Sequence, residues 1–181
     1  MLDDNLVYSL SNDPEEKTRL QYEDAYTLIL FDVPSHIVRH GVKTYETIPL
    51  GIILMPHNVI TVCAEETQVL TPFHAGRMRD YSTHERLNFV YQVLLRTSLL
   101  YQQALTVVDH RRIEFEEHID QMRDERDLVS LHELESTLVY FATSLRGNGS
   151  VLARLSRSER PQPSPEDREL LTHAEEYISK K

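Results

Sequence analysis

Hydrophobic and polar positions divide the chain into a β-like first half and a helical second half. Ala25 to Val33 (AYTLILFDV) is an apolar run rich in β-formers that stops at Pro34, and it reads as a central strand. Arg19 to Tyr22 reads as a short edge strand. Ile48 to Met55 and Asn58 to Ala64 flank Pro56-His57-Asn58, the short punctuated connection of a β-hairpin. Between these strands His36 to Thr47 is polar, contains Gly41 and keeps no period, so it reads as a loop or short edge segment.

The period then changes from two to about 3.6. Ser82-Thr83-His84-Glu85 has the spacing of a capping box and marks a helix start. Leu87, Val90, Tyr91, Leu94, Tyr101, Leu105, Val108, Phe115, Ile119 and Met122 follow at three- and four-residue steps. A stripe of about forty residues spans roughly 60 Å as a helix, longer than so small a domain is wide. A second apolar row (Phe89, Val93, Leu100, Ala104, Val107) ends at Asp109, where the helix is expected to leave the core. Asp124 to Asp127 reads as a tight turn before a second stripe, Leu128, Leu131, Leu134, Leu138, Phe141, Leu145, Leu152 and Leu155. Gly147-Asn148-Gly149 interrupts that helix, either as a kink, the favoured reading, or as its end. Arg160 to Pro163 breaks it. Ser164-Pro165-Glu166-Asp167 restarts one, with serine as cap, proline at the first helical position and acids at the positive end of the dipole. Leu170, Leu171, Ala174, Tyr177 and Ile178 form its apolar face, and no stop signal follows, so the helix is expected to run on beyond Lys181.

These elements give an α+β fold: an α/β/α sandwich with a small, mixed but largely antiparallel sheet packed by helices, a long antiparallel helical hairpin, and the start of a stalk helix. The expected parts are the sheet region 1–80, the helical hairpin 81–160 and the stalk start 164–181. Forty per cent hydrophobic residues in 181 suffice for one core. A net charge of −10 repels phosphate backbones and favours cations, so nucleic acid is excluded as an expected partner. The single cysteine, Cys63, lies within VITVCA and reads as a small core hydrophobe rather than a nucleophile. No stretch approaches the roughly 18 apolar residues of a membrane span.

Three segments carry a family resemblance: Asp13 to Pro34 (DPEEKTRLQYEDAYTLILFDVP), Ile48 to Val62 (IPLGIILMPHNVITV) and Leu131 to Asn148 (LHELESTLVYFATSLRGN). In this order, with the proline break and new helix that follow, the chain resembles the CorA-like metal-ion transporter family over nearly its whole length. The resemblance implies the N-terminal cytoplasmic domain of a homopentameric channel, with a stalk helix from Ser164 towards the membrane. It also implies Mg2+ as transported and regulatory ion, sensed by carboxylates at subunit interfaces, and no enzymatic reaction. The family's Gly-Met-Asn signature and its two membrane helices are absent from this chain, and an expected first helix, Asn5 to Ser11, carries Tyr8-Ser9-Leu10 where relatives often have acids.

The candidate metal-sensing carboxylates are Asp3 and Asp4, ahead of that first helix, and Glu175 and Glu176 on the stalk. Acids on surface helices most often form only a solvated face. His110, Glu114 and His118, with Glu117 adjacent, share a helix face with metal-ligand spacing, but the face lies where the helix has left the core, so it too reads as solvated. His36 and His40 read as loop residues. Arg111-Arg112 lies among glutamates and reads as local ion pairing. No Gly-rich phosphate loop, GxSxG or HExxH is present. Two functions remain: the regulatory domain of a transporter, whose partners are its own copies and divalent cations, or a freestanding helical hairpin that docks an amphipathic partner helix.

Overall fold

The computed structural model describes residues 17–77, 85–118, 125–158 and 162–179. Four strands, β1 (Arg19–Tyr22), β2 (Thr27–Arg39), β3 (Val42–Leu54) and β4 (Val59–Cys63), form one sheet in sequence order, and all three pairings are antiparallel. A single turn, α1 (Thr71–His74), and three long helices follow: α2 (Arg86–His118), α3 (Glu125–Arg157) and α4 (Pro165–Ser179).

The sheet is buried on both faces, which is why its strands read as continuous apolar runs. Leu20, Ile29, Phe31, Val33, Ile48, Leu50 and Ile52 join Val90, Leu94, Leu152, Leu155, Leu171, Ala174 and Ile178 in the main core. Leu28, Leu30, Ile53 and Val62 point to the other face. The second helical layer expected there, at residues 5–11, lies outside the described residues, as does the Ser82 end of the capping box. The helix it was expected to start does begin at Arg86.

Residues 36–47 are not a loop. Beyond the ends of β1 and β4, β2 and β3 continue as a two-stranded ribbon, paired from Pro34↔Thr47 to Arg39↔Val42 and closed by His40-Gly41. Both turn residues have positive φ (52° and 79°), the requirement of the two-residue turn that matches strand twist. Thus β2 runs through Pro34 instead of stopping there. Asp32 aims its backbone N–H and C=O away from β3, so Asp32↔Pro49 is a non-hydrogen-bonded pair, and by alternation so is Pro34↔Thr47. The missing N–H groups of both prolines therefore face away from the partner strand and break no bond of the β2–β3 ladder.

The two long helices lie side by side in opposite directions. Tyr101 meets Phe141 edge to face (centroids 5.1 Å), and Phe115 of α2 lies with Leu134 of α3 nearer the tip. Burial on α2 falls away after Val108, as the loss of the second apolar row implied, although Val107 in that row is already exposed. Glu125 to Asp127 are helical, so the expected turn is not there; Ile119 and Met122 lie outside the described residues.

On α3 the leucine stripe marks the buried face only in part: Leu134, Phe141, Leu152 and Leu155 are buried, but Leu128 is 69% exposed and Leu131 and Leu138 are exposed too. Glu133, Thr137, Ser144 and Asn148 are buried as well. Thr137 and Ser144 bond to the ribbon. Thr137 Oγ1 donates to the Tyr45 carbonyl (3.0 Å) and lies 2.7 Å from Thr44 Oγ1, while Ser144 Oγ donates to Thr47 Oγ1 (3.0 Å).

Gly147-Asn148-Gly149 neither ends α3 nor interrupts its helical run. It is where α3 meets three neighbours. A Cβ on Gly147 would clash with the Thr18 side chain, and one on Gly149 would lie 3.5 Å from Ile178 of α4. Asn148, 0% exposed, accepts from the Asp32 N–H (2.9 Å) and donates to the Asp32 carbonyl (2.8 Å). The β1 register (Arg19↔Leu30), extended by two residues, would place residue 17 opposite Asp32; the Asn148 amide fills that place.

Candidate functional site

The start of α4 borders a cleft of about 630 Å³. Its walls come from the β1–β2 turn, the end of β3 and the first turns of α2 and α4, and among the described residues they carry Glu23, Asp24, Glu85, Glu166 and Asp167 with Arg86 as the one basic group. Asp167, 5% exposed, is committed to structure. Its N–H donates to Ser164 Oγ (3.1 Å), its Oδ2 accepts from the Ser164 N–H (3.0 Å), and Asn88 of α2 donates to its Oδ1 (3.4 Å). The expected serine cap is thus a reciprocal capping box that also pins α4 to α2. Glu23, Asp24, Glu85 and Glu166 remain exposed around the cleft, although Glu23 accepts from Gln21 and Arg86 donates to the Met55 carbonyl (2.9 Å).

This donor set consists of hard oxygens without a cage. Among the described residues no group of three or more His, Cys, Asp or Glu is close enough to hold a metal ion.

The expected site residues are not brought together here. Asp3 and Asp4 lie outside the described residues. Glu175 and Glu176 sit near the far end of α4, roughly 13 Å along the helix from Glu166 and Asp167 at 1.5 Å per residue. Glu175 accepts from Ser156 Oγ (2.6 Å) and so ties α4 to α3, while Glu176 is exposed beside it.

The histidines fall into separate roles. His110 contacts the Thr106 carbonyl of its own helix (2.8 Å), on the exposed face expected for it. His36 belongs to β2 and stacks obliquely on Tyr45 (4.3 Å). His40, in the ribbon turn, reaches Glu133 of α3 (2.9 Å), a carboxylate 2% exposed with Arg39 3.8 Å away. Arg112 pairs locally with Asp109 (3.1 Å) and Glu116, but Arg111 donates across to the Lys43 carbonyl and fastens α2 to the ribbon. Cys63 packs half-buried against the main core, contacts the Pro49 carbonyl (3.5 Å), and burial raises its thiol pKa, all unlike a nucleophile.

A half-buried carboxyl, Asp32, lies between sheet and helices beside the buried Ser144 and Tyr101. Burial pushes the Asp32 carboxyl above its ordinary pKa, against the opposing hydrogen bond of Ser144. Tyr101, buried beside them, is raised well above the phenol range by burial and then by Asp32.

The family model described as "CorA-like Mg2+ transporter protein" matches residues 3–180. No curated protein sequence matches. Among solved structures, the soluble domain of CorA from Methanocaldococcus jannaschii is similar at TM-score 0.80 and 22% identity, over 98% of this chain and 76% of that one. The complete CorA magnesium transporter of the same organism matches at 0.78 and 21%, over 96% of this chain and 54% of that one, so the chain spans about half its length. The ZntB cytoplasmic domain from Vibrio parahaemolyticus matches at 0.64 and 11%, over 98% and 72%. At these identities the structures attest the fold. No described helix is long and apolar enough to cross a membrane.

Proposed function

Since the chain belongs to the CorA-like Mg2+ transporter protein family, we propose that it is the regulatory and assembly part of a divalent-cation transporter, acting at the cytoplasmic face of the membrane. The observation that carries this reading is the acid-lined cleft at the root of α4, the helix that would lead towards a membrane segment. Its exposed carboxylates attract hydrated Mg2+, and a second copy placed against the cleft supplies further oxygens. Ion held between copies then favours the closed arrangement of a homopentamer, and its loss loosens that arrangement. A ligand shifts such an equilibrium only by binding one state better than the other, which an interface site does. The chain binds and does not catalyse.

Residues Glu23, Asp24, Glu85 and Glu166 would face the ion, while Asp167 holds the helix start that presents one of them. The test is a Mg2+ titration of the chain, read by melting temperature and sedimentation at constant ionic strength, with cobalt(III) hexaammine as a stand-in for the hydrated ion. Stabilisation or association by both ions, lost in Asp24→Asn/Glu166→Gln but kept in Glu175→Ala/Glu176→Ala, supports the cleft. Loss in the Glu175/Glu176 variant instead moves the site to the far end of α4, and unchanged stability and mass through about 10 mM Mg2+, far above typical site affinities, sinks interface sensing.

The exposed Leu128, Leu131, Leu138 and Val139 on α3 favour one other reading, a helical-hairpin module that docks an amphipathic partner helix. A gene continuing past Lys181 into two apolar runs around Gly-Met-Asn would decide for the transporter.

A further inference from the structure

Arg86 also lines a second pocket, about 350 Å³, bounded by the β3–β4 turn, α1 and the first turn of α2. Its floor is apolar: Leu70 and Phe73 are buried, Phe89 is half-buried, and the two phenyl rings meet edge to face (centroids 5.1 Å). Its rim carries His57, His74 and Arg86, with Asn58 and Thr61 between. Among the described residues that line it there is no carboxylate, although the chain has 29 acidic residues against 19 Lys and Arg. The contrast with the neighbouring cleft is therefore one of sign as well as size.

The bond from Arg86 Nη1 to the Met55 carbonyl (2.9 Å) holds the guanidinium at the rim and uses one of its five donors. A fixed planar cation beside an aromatic floor, in a volume typical of small-molecule sites, presents two complementary features at once. Flat rings pack favourably on the faces or edges of Phe, and anionic groups bond strongly to guanidinium and imidazole N–H groups. We propose that this pocket binds a small aromatic anion, its ring against Phe73 and Phe89 and its charge against Arg86, with His57 and His74 as further donors. The site shares Arg86 with the cleft, but His57 and His74 line this pocket alone, so the proposal does not rest on the cation reading.

The test is an NMR titration of the full 181-residue chain with benzenesulfonate, whose charge is constant near neutral pH. Sulfate and benzyl alcohol supply the charge alone and the ring alone. Benzenesulfonate should saturate in the low millimolar range, shift residues of the β3–β4 turn, α1 and the start of α2, and bind at least about tenfold more tightly than either fragment. Arg86→Gln should weaken binding about fivefold or more. The double variant His57→Gln/His74→Gln, at two exposed positions, should weaken it too and gives an answer even if Arg86→Gln disturbs the fold. Equal response to sulfate, no saturation, or parental affinity in the double variant would each overturn the proposal.

Discussion

Removing the Asn148 amide tests the idea that one side chain completes the sheet. Asn148→Ala would leave the Asp32 N–H and C=O without their partners at 2.9 and 2.8 Å. A buried backbone group left unpaired costs about 1–3 kcal/mol, so two cost about 2–6. Asp32 is only half-buried, and water reaching it favours the lower end, about 2–3 kcal/mol. Alanine returns about 0.5 kcal/mol of helix propensity, which leaves a net loss of about 2 kcal/mol. In a chain of this size that lowers Tm by about 4–8 °C. Urea unfolding should show a lower midpoint at unchanged m, and the Asp32 amide should lose protection against hydrogen exchange. Asn148→Asp keeps an acceptor but sets a carboxylate oxygen against the Asp32 carbonyl, so it should be no more stable than the alanine variant. A loss below about 0.5 kcal/mol with protection retained would refute the assignment, since surface substitutions fall in that range.

The flanking glycines should respond with opposite signs. Gly149→Ala meets only an ordinary contact with Ile178 and should stabilise by about 0.5–1 kcal/mol, whereas Gly147→Ala clashes with Thr18 and should destabilise despite the same propensity gain, with Thr18→Gly restoring stability. Thermal melts of the three variants check both. Asp32→Asn should stabilise at neutral pH: burial raises the folded-state pKa, so the ionised form opposes folding above it, and the advantage should fade as pH falls through that raised value towards the unfolded one. Stability curves of parent and variant that stay parallel from pH 7 to 3 would contradict this.

What the sequence disclosed followed from apolar burial. Most residues from Leu28 to Val33 and from Ile48 to Ile53 are buried whichever face they point to, so their strands show as largely hydrophobic runs. Leu171, Ala174 and Ile178 show at helical spacing because α4 buries only one face. The ribbon of residues 36–47 was illegible because one polar partner, the Glu133, Thr137, Ser144 and Asn148 line of α3, meets another, so neither shows as hydrophobic. The same polarity on the inner side of α3 let the outward Leu128, Leu131 and Leu138 read as one stripe with the buried Leu134, Phe141, Leu152 and Leu155. The acidic cleft had no local signature either, since residues 23–24, 85–86 and 166–167 converge only after folding. Glu175 read as a free stalk carboxylate, but its bond to Ser156 could not be seen from α4 alone.

The prolines of β2 and β3 bear on how the molecule avoids its own copies. Where β2 and β3 outrun their neighbours, each has a flank that no described strand pairs with, the kind of edge another chain's strand would ordinarily extend. On the β2 flank the next backbone position after the occupied Asp32 is Pro34, and beyond the last residue of β4 the β3 flank offers Pro49; neither has an N–H to donate. An incoming strand would lose a bond at its first step on either side. The ribbon is thereby a poor template for open-ended sheet growth.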